Sequence, residues 1–181
     1  MERVYQTYLF TGRPSAGKTT VVNGIYNLMT KEEQGKVSKL DGDILRDWLN
    51  NDLGFSHEDR IENLRRFAGL ANFVNYEIGK DVFGSFVSPT NEHREVIKKI
   101  IGPDKFKLIY VEASLKVCEE RDVKGMYKKA RENKIKSFTG IHDDAPFEEP
   151  INPNLILNTE KYSIEQCVDK FFDFYNSLNS K

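Results

Sequence analysis

Gly12-Arg13-Pro14-Ser15-Ala16-Gly17-Lys18-Thr19 follows an apolar run ending Tyr8-Leu9-Phe10-Thr11 and precedes Thr20-Val21-Val22-Asn23-Gly24-Ile25, so the chain reads strand, loop, helix. The octet fits G-x-x-x-x-G-K-[ST], the pattern of a phosphate-binding loop. Gly12 and Gly17 are expected to take backbone angles that a β-carbon forbids, turning successive amides inward around an anion. The helix opening near Lys18 adds unpaired N–H groups and its positive end. Lys18 is expected to reach the β- and γ-phosphates, and the Thr19 hydroxyl to sit on a Mg²⁺ that bridges them. Gly12, Ser15, Ala16, Gly17, Lys18, Thr19 and Thr20 form the expected nucleotide-binding set, with MgATP or MgGTP as ligand. A glycine-rich turn without a ligand is the other reading of the octet.

Working outward, Val4 to Thr11 reads as a buried strand, and Val22, Ile25, Tyr26 and Met29 give the next helix its apolar face. Lys31 to Gly35 reads as a polar connection. A strand from Val37 to Leu40 delivers Asp41-Gly42-Asp43, so two carboxylates emerge at the carboxyl end of a strand, where ligands sit in an open α/β sheet. Trp48, Leu49 and Leu53 continue a short helix. Ser56 with Asp59 caps a longer one whose stripe is Ile61, Leu64, Ala68, Ala71 and Val74. Glu62, Arg65 and Arg66 on that helix are either a solvated charged face or functional groups. A strand spans Val82 to Val87 and a helix runs through Ile101. Phe106 to Val111 is the most apolar strand, and Leu115 to Glu120 starts another helix. Leu155 to Leu157 is a fifth strand, and Ser163 to Leu178 an amphipathic helix capped by Ser163.

Between Arg121 and Pro153 the composition changes: Lys124, Lys128, Lys129, Arg131, Lys134 and Lys136 are followed by Gly140, Asp143, Asp144 and prolines, with few aliphatic residues. This segment is expected to be a mobile lid, poorly able to form its own core; an exposed basic helix and acidic loop without a ligand is the alternative. The fold class that follows is α/β: a P-loop NTPase-type parallel sheet of about five strands, helices on both faces and a lid, in one domain over residues 1–181.

With 27 Lys and Arg against 28 Asp and Glu among 181 residues, no net field recruits nucleic acid or an anionic membrane. Cys118 and Cys167 form no metal motif, fall on apolar helix positions and suggest buried thiols in a cytoplasmic protein. No signal-like or bilayer-length apolar segment is expected. His57, His93 and His142 share no metal-ligand spacing. N-K-x-D, the base-reading motif of GTP switches, has no match, since Asn158-Thr159-Glu160-Lys161 does not fit. A small chain with a basic lid and a carboxylate beside the loop fits phosphoryl transfer to a small molecule, with water excluded by the lid. Asp43 is the candidate base for the acceptor hydroxyl and a candidate metal ligand beside Thr19.

Leu40-Asp41-Gly42-Asp43, Leu53-Gly54-Phe55-Ser56, Asp59 to Arg66, Phe86-Val87-Ser88-Pro89, Arg121 to Ala130 and Phe138-Thr139-Gly140-Ile141 occur in an order and spacing that resembles the adenylylsulfate kinases. The resemblance covers about residues 8 to 155. It implies transfer of the γ-phosphate of ATP to the 3′-hydroxyl of adenosine 5′-phosphosulfate, with Mg²⁺, in a homodimer. It also implies roles for single residues: Asp43 as base by the 3′-hydroxyl and metal, and Arg46, Arg60 and Asn63 holding the phosphosulfate and ribose. Phe55 and Phe138 would sandwich the substrate base, Val87 and Ser88 would meet substrate at a strand end, Lys124 would serve the phosphates, and Arg121 would lie near the ATP adenine. Ser88 matches a serine once proposed to carry a phosphoryl group, for which a polar contact to substrate is the simpler role.

Ile44, Thr90, Pro14 and Ser15 depart from the family pattern. They leave open an acceptor such as cytidine diphosphoramidate, phosphorylated by the same machinery. A nucleotide-binding regulatory protein without turnover is a third reading, against which Lys18, Thr19 and Asp43 stand intact.

Overall fold

The computed structural model describes residues 4–179. Five strands, β1 (Thr7–Thr11), β2 (Val37–Asp41), β3 (Asp81–Ser85), β4 (Phe106–Glu112) and β5 (Leu155–Asn158), pair in parallel in the order β2-β3-β1-β4-β5. The central strand β1 and its neighbour β4 are rich in β-branched and aromatic residues, and alternation sends successive side chains to opposite faces. On β1, Tyr8 and Phe10 face one core and Leu9 the other. Parallel strands require crossovers, and the helices that make them cover both faces.

On one face lie α1 (Lys18–Leu28) and the last helix, α8 (Ile164–Asn179), which pack on each other. Val21, Val22 and Ile25 meet Val168 and Phe171 above Tyr8, Phe83 and Ile109. On the other face α4 (His57–Phe73) packs on α5 (Asn91–Ile101) through Leu64, Phe67, Ala68, Ile97 and Ile101. Full burial of each such side chain stabilises by roughly 1.5–3 kcal/mol. Gly84 on β3 is required by this packing, because a β-carbon there would lie 2.4 Å from Phe67 Cζ. Phe67 is the fully buried centre of the α4 stripe, whereas Ile61 is only half-buried.

Two local readings are corrected, and one turn is new. Lys31–Gly35 is a short helix, α2, rather than a connection: Thr30 accepts from Glu33 N and the Glu33 carboxylate accepts from Thr30 N. Past α4 the chain makes one π turn, Val74–Ile78, ended by Gly79 at φ 71°. That turn buries Asn75, whose amide accepts from Thr7 Oγ1 and donates to the Lys80 carbonyl. β3 ends at Ser85, two residues before the expected Val87. The Ser56 cap forms as expected, accepting from Asp59 N at 3.1 Å. Glu62, Arg65 and Arg66 pair with one another and with Asp52, a lattice of surface ion pairs. Among the described residues no helix is long and apolar enough to cross a membrane.

Candidate active site

Gly12 leaves β1 at the carboxyl edge of the sheet, pinned by Thr11, whose Oγ1 donates to the Val87 carbonyl at 2.7 Å. The need for glycine at position 12 is closeness rather than backbone angle: a β-carbon would stand 2.3 Å from the Val111 carbonyl oxygen, and φ is not positive. Gly17 does need its left-handed conformation, at φ 97°. It caps α1 with no side chain across the helix's free N–H groups, leaving them to face an anion. Lys18 folds back over the loop, donating to the carbonyls of Gly12 at 3.0 Å and Arg13 at 2.8 Å. Its pKa is pushed down to about 8 by burial, opposed by Cys118, Asp43 and Asp41.

Beside the loop, β2 ends at Asp41 and α3 (Gly42–Trp48) begins at once. This junction separates the two carboxylates. Asp41 caps α3 by accepting from Asp43 N at 2.9 Å, and its other oxygen accepts from Thr19 Oγ1 at 2.8 Å. Asp43, the second residue of the helix, pairs with Lys124. That contact holds the Lys124 pKa above its ordinary value. The hydrogen-bond partner of Thr19 is therefore Asp41, while Asp43 turns to Lys124. One hydroxyl and two carboxylates within reach of the loop are hard oxygen donors of the kind that suit Mg²⁺.

On the β2–β3 side, Arg46 donates to the carbonyls of Leu53 and Gly54 and lies 4.3 Å over the Phe55 ring. Phe55 is 59% exposed. Arg60 donates from Nε to the Phe55 carbonyl, from Nη1 to Thr139 Oγ1 and from Nη2 to the Ser137 carbonyl, so it joins the two segments that carry Phe55 and Phe138. Asn63 is buried and accepts from the Asn50 amide at 2.8 Å, which turns at least its oxygen inward. Ser88 is 2% exposed, holds φ at 40°, and its Oγ has no partner among the described residues. A non-glycine residue in that conformation is strained, and an orphaned hydroxyl beside it marks a place built for something other than stability. Thr90, at a departure from the family pattern, caps α5 and has its hydroxyl 2.5 Å from His93 Nδ1.

On the β4–β5 side, Arg121 at the end of α6 (Leu115–Arg121) donates to the carbonyl and hydroxyl oxygens of Thr159 at 2.6 and 3.0 Å. Thr159 Oγ1 donates in turn to the Ala16 carbonyl at 2.7 Å. A cavity of about 300 Å³ opens there between Ser15, Gly17, Thr20, Arg121, Thr159 and Tyr162. It adjoins the phosphate loop and has the scale of a nucleoside.

The segment from 121 to 153 is better anchored than its composition suggests. Helix α7 (Met126–Arg131) buries Tyr127 and Ala130, and Thr139 and Ala145 are buried farther on. The Tyr127 hydroxyl donates to the Pro14 carbonyl of the phosphate loop at 2.9 Å, and the Phe138 ring meets Tyr127 edge-on at 5.0 Å. The Phe147 ring is within 4.6 Å of the Arg13 guanidinium and 5.5 Å of that of Arg94. The segment thus shares the core of the main fold instead of forming one of its own. Asp41, Tyr127, Thr139 and Thr159 meet the loop or the Arg60 cluster without having been given a role in sequence reading; Asp41 was seen only as a strand-end carboxylate, Tyr127 and Thr139 only within longer motif stretches, and Thr159 not as part of the site.

Cys118 and Cys167 are buried, unpaired thiols. The rings of His57 and His93 meet at 5.3 Å, and no group of three or more His, Cys, Asp and Glu side chains able to hold a metal occurs among the described residues.

A loop with an open helix end, a carboxylate pair beside it and a nucleoside-sized cavity behind it is an arrangement with relatives. The adenylylsulphate kinase family profile matches residues 5–158. The adenylyl-sulfate kinase of Clostridium kluyveri is 42% identical over 166 residues, covering 91% of this chain and 80% of that protein. That of Halothermothrix orenii is 44% identical over 170 residues, covering 93% and 88%. The fold superimposes on the APS kinase CysC of Mycobacterium tuberculosis, solved in complex with AMPPNP and APS, with a TM-score of 0.87 at 36% identity over 97% of this chain and 99% of that one. With the family profile spanning most of the strands and loops just described, the chain belongs to the adenylylsulphate kinase family.

Proposed function

We propose that this kinase transfers the γ-phosphate of ATP to the 3′-hydroxyl of adenosine 5′-phosphosulfate, giving ADP and the 3′-phosphorylated product. The observation that carries the reading is the position of Asp43, tied to Lys124 between the phosphate loop and the Phe55 and Arg60 cluster. In this reading Gly12 to Thr20 bind the triphosphate and Arg121 lies at the adenine cavity. Lys18 turns from its loop carbonyls to the β- and γ-phosphates. Arg46, Arg60, Asn63, Val87 and Ser88 meet the acceptor, and Phe55 and Phe138 flank its base. Lys124 neutralises phosphate charge, and Asp43 takes the proton that leaves the 3′-oxygen as that oxygen attacks phosphorus. The enclosed lid excludes water that would otherwise compete as nucleophile. Thr19, Asp41 and Asp43 would hold Mg²⁺, which when bound neutralises charge between the β- and γ-phosphate oxygens.

The protein acts in this reading as one kinase domain, as a homodimer and in the cytoplasm. Its two buried unpaired thiols suit a reducing compartment, and family resemblance supports the dimer. Incubation with MgATP and adenosine 5′-phosphosulfate is expected to yield ADP and 3′-phosphoadenosine 5′-phosphosulfate in equal amounts, resolved by anion-exchange chromatography. Phosphorylation of a cytidine diphosphate derivative but not of this acceptor would overturn the substrate assignment. ATP binding without turnover on any nucleoside 5′-anhydride would overturn the assignment as a kinase of this class.

A further inference from the structure

The guanidinium of Arg60 spends all three of its nitrogens on protein oxygens: Nε on the Phe55 carbonyl at 3.0 Å, Nη1 on Thr139 Oγ1 at 3.1 Å and Nη2 on the Ser137 carbonyl at 2.8 Å. The last two partners are the immediate neighbours of Phe138, while the first is Phe55 itself. A guanidinium is planar and rigid, so its one frame spaces the two aromatic residues. The far side of this frame is equally fixed. Phe138 rests edge-on against Tyr127, and Tyr127 is bonded to Pro14 in the phosphate loop. Of the three oxygens gripped by Arg60, two belong to the main chain. The third, the Thr139 hydroxyl, is the only side-chain group among them, and Thr139 is 4% exposed.

We propose that Thr139 is a positioning residue for the acceptor: by holding Arg60 Nη1 it sets the spacing of Phe55 and Phe138 and thereby the affinity for the second nucleotide. The inference rests on the acceptor reading given above and adds to it a residue that need not touch substrate. Removing the hydroxyl costs Arg60 one charge-assisted hydrogen bond and loosens the tie between Arg60 and the turn that carries Phe138, while the bonds of Phe138 to Ile141 and His142 keep the turn itself folded. Base stacking between two rings tolerates little change in their separation.

Thr139→Val keeps the shape and removes the acceptor oxygen; Thr139→Ser restores it. The valine variant is expected to raise the KM for the acceptor about tenfold, with kcat and the KM for ATP within about twofold of wild type, and serine to return the acceptor KM close to wild type. An unchanged acceptor KM in the valine variant, an equal rise in both KM values, or no rescue by serine overturns the proposal. Hydrogen exchange at the amides of residues 137–141 reads the same grip without substrate. Faster exchange in the valine variant than in wild type or the serine variant is expected, and equal protection in all three overturns the proposal. Failure of wild type to phosphorylate adenosine 5′-phosphosulfate would strike the functional reading alone, since the exchange measurement stands apart from it.

Discussion

Lys124, on the connection between α6 and α7, forms an ion pair with Asp43 on α3, near enough to Lys18 of the phosphate loop for both charges to act on it. Both side chains are largely exposed, so the pair adds little to stability and its significance lies in where it puts the carboxylate. Asp43→Asn is expected to lower kcat by about a hundredfold or more while the Kd for a non-hydrolysable ATP analogue changes by less than about threefold. Lys18→Ala should lose both. Turnover surviving Asp43→Asn in a steady-state assay would remove that side chain from its role as base.

Gly12→Ala forces a methyl group to within 2.3 Å of the Val111 carbonyl oxygen, on the neighbouring strand β4. Neither main chain can yield without breaking the β1–β4 ladder. We expect a loss of about 1–3 kcal/mol or more in urea unfolding, together with loss of ATP binding. Gly69→Ala, an exposed helical position with open space around the added methyl, is the control and should leave stability unchanged or slightly raised.

Lys18 titrates near 10.5 when free of the fold and at about 8 within it, chiefly through burial. Below the lower value both forms carry the proton and the fold bears an enclosed cation. Between the two values the unfolded chain holds more protons, so this group makes stability rise with pH across that window. Phosphate binding needs the charge, which gives kcat/KM for ATP a falling limb above about pH 8. A profile that stays flat through about pH 9.5 would contradict that assignment.

His93 is 2% exposed. Burial, then the charges of His57 and Arg60, push its pKa down from 6.5 to about 4, against a raising influence from Glu92. A depressed histidine is protonated in the unfolded chain first, so stability falls as pH drops from the free value toward the folded one, by up to about 3 kcal/mol. Calorimetry at pH near 7 and near 5 should show a smaller drop in Tm for His93→Asn, which keeps an oxygen facing Thr90, than for wild type. Parallel drops would exclude His93 as the source.

The sheet was legible because β1 and β4 are short apolar runs rich in aromatic and β-branched side chains and the weaker strands alternate with helical segments around them, and the caps at Ser56 and Ser163 announce themselves in sequence. Lys31–Gly35 was read as a connection because it has no apolar stripe; its reciprocal Thr30 and Glu33 bonds, not packing, hold it helical. Asp41 and Asp43 look alike as text. Only the switch from strand to helix between them sends one toward Thr19 and the other toward Lys124. The lid forms no core of its own, as its composition implies, and its few large side chains, Tyr127, Phe138 and Phe147, find partners in the phosphate loop and the main core that no local window contains. The glycine at position 12 was foreseen for its freedom of rotation, whereas the neighbouring strand's carbonyl is what demands it.

The strand order sets β1, which carries the loop, in the middle, with Asp41 and Ser88 reached from β2 and β3 and with Thr159 and Arg121 on the flank of β4 and β5. The phosphate loop therefore sits where groups from both flanks of one sheet edge converge on it, Asp41 on Thr19 from one side and Thr159 on Ala16 from the other. A change on either flank is thus felt at the loop itself, through the Thr19 hydroxyl on one side and the Ala16 carbonyl on the other.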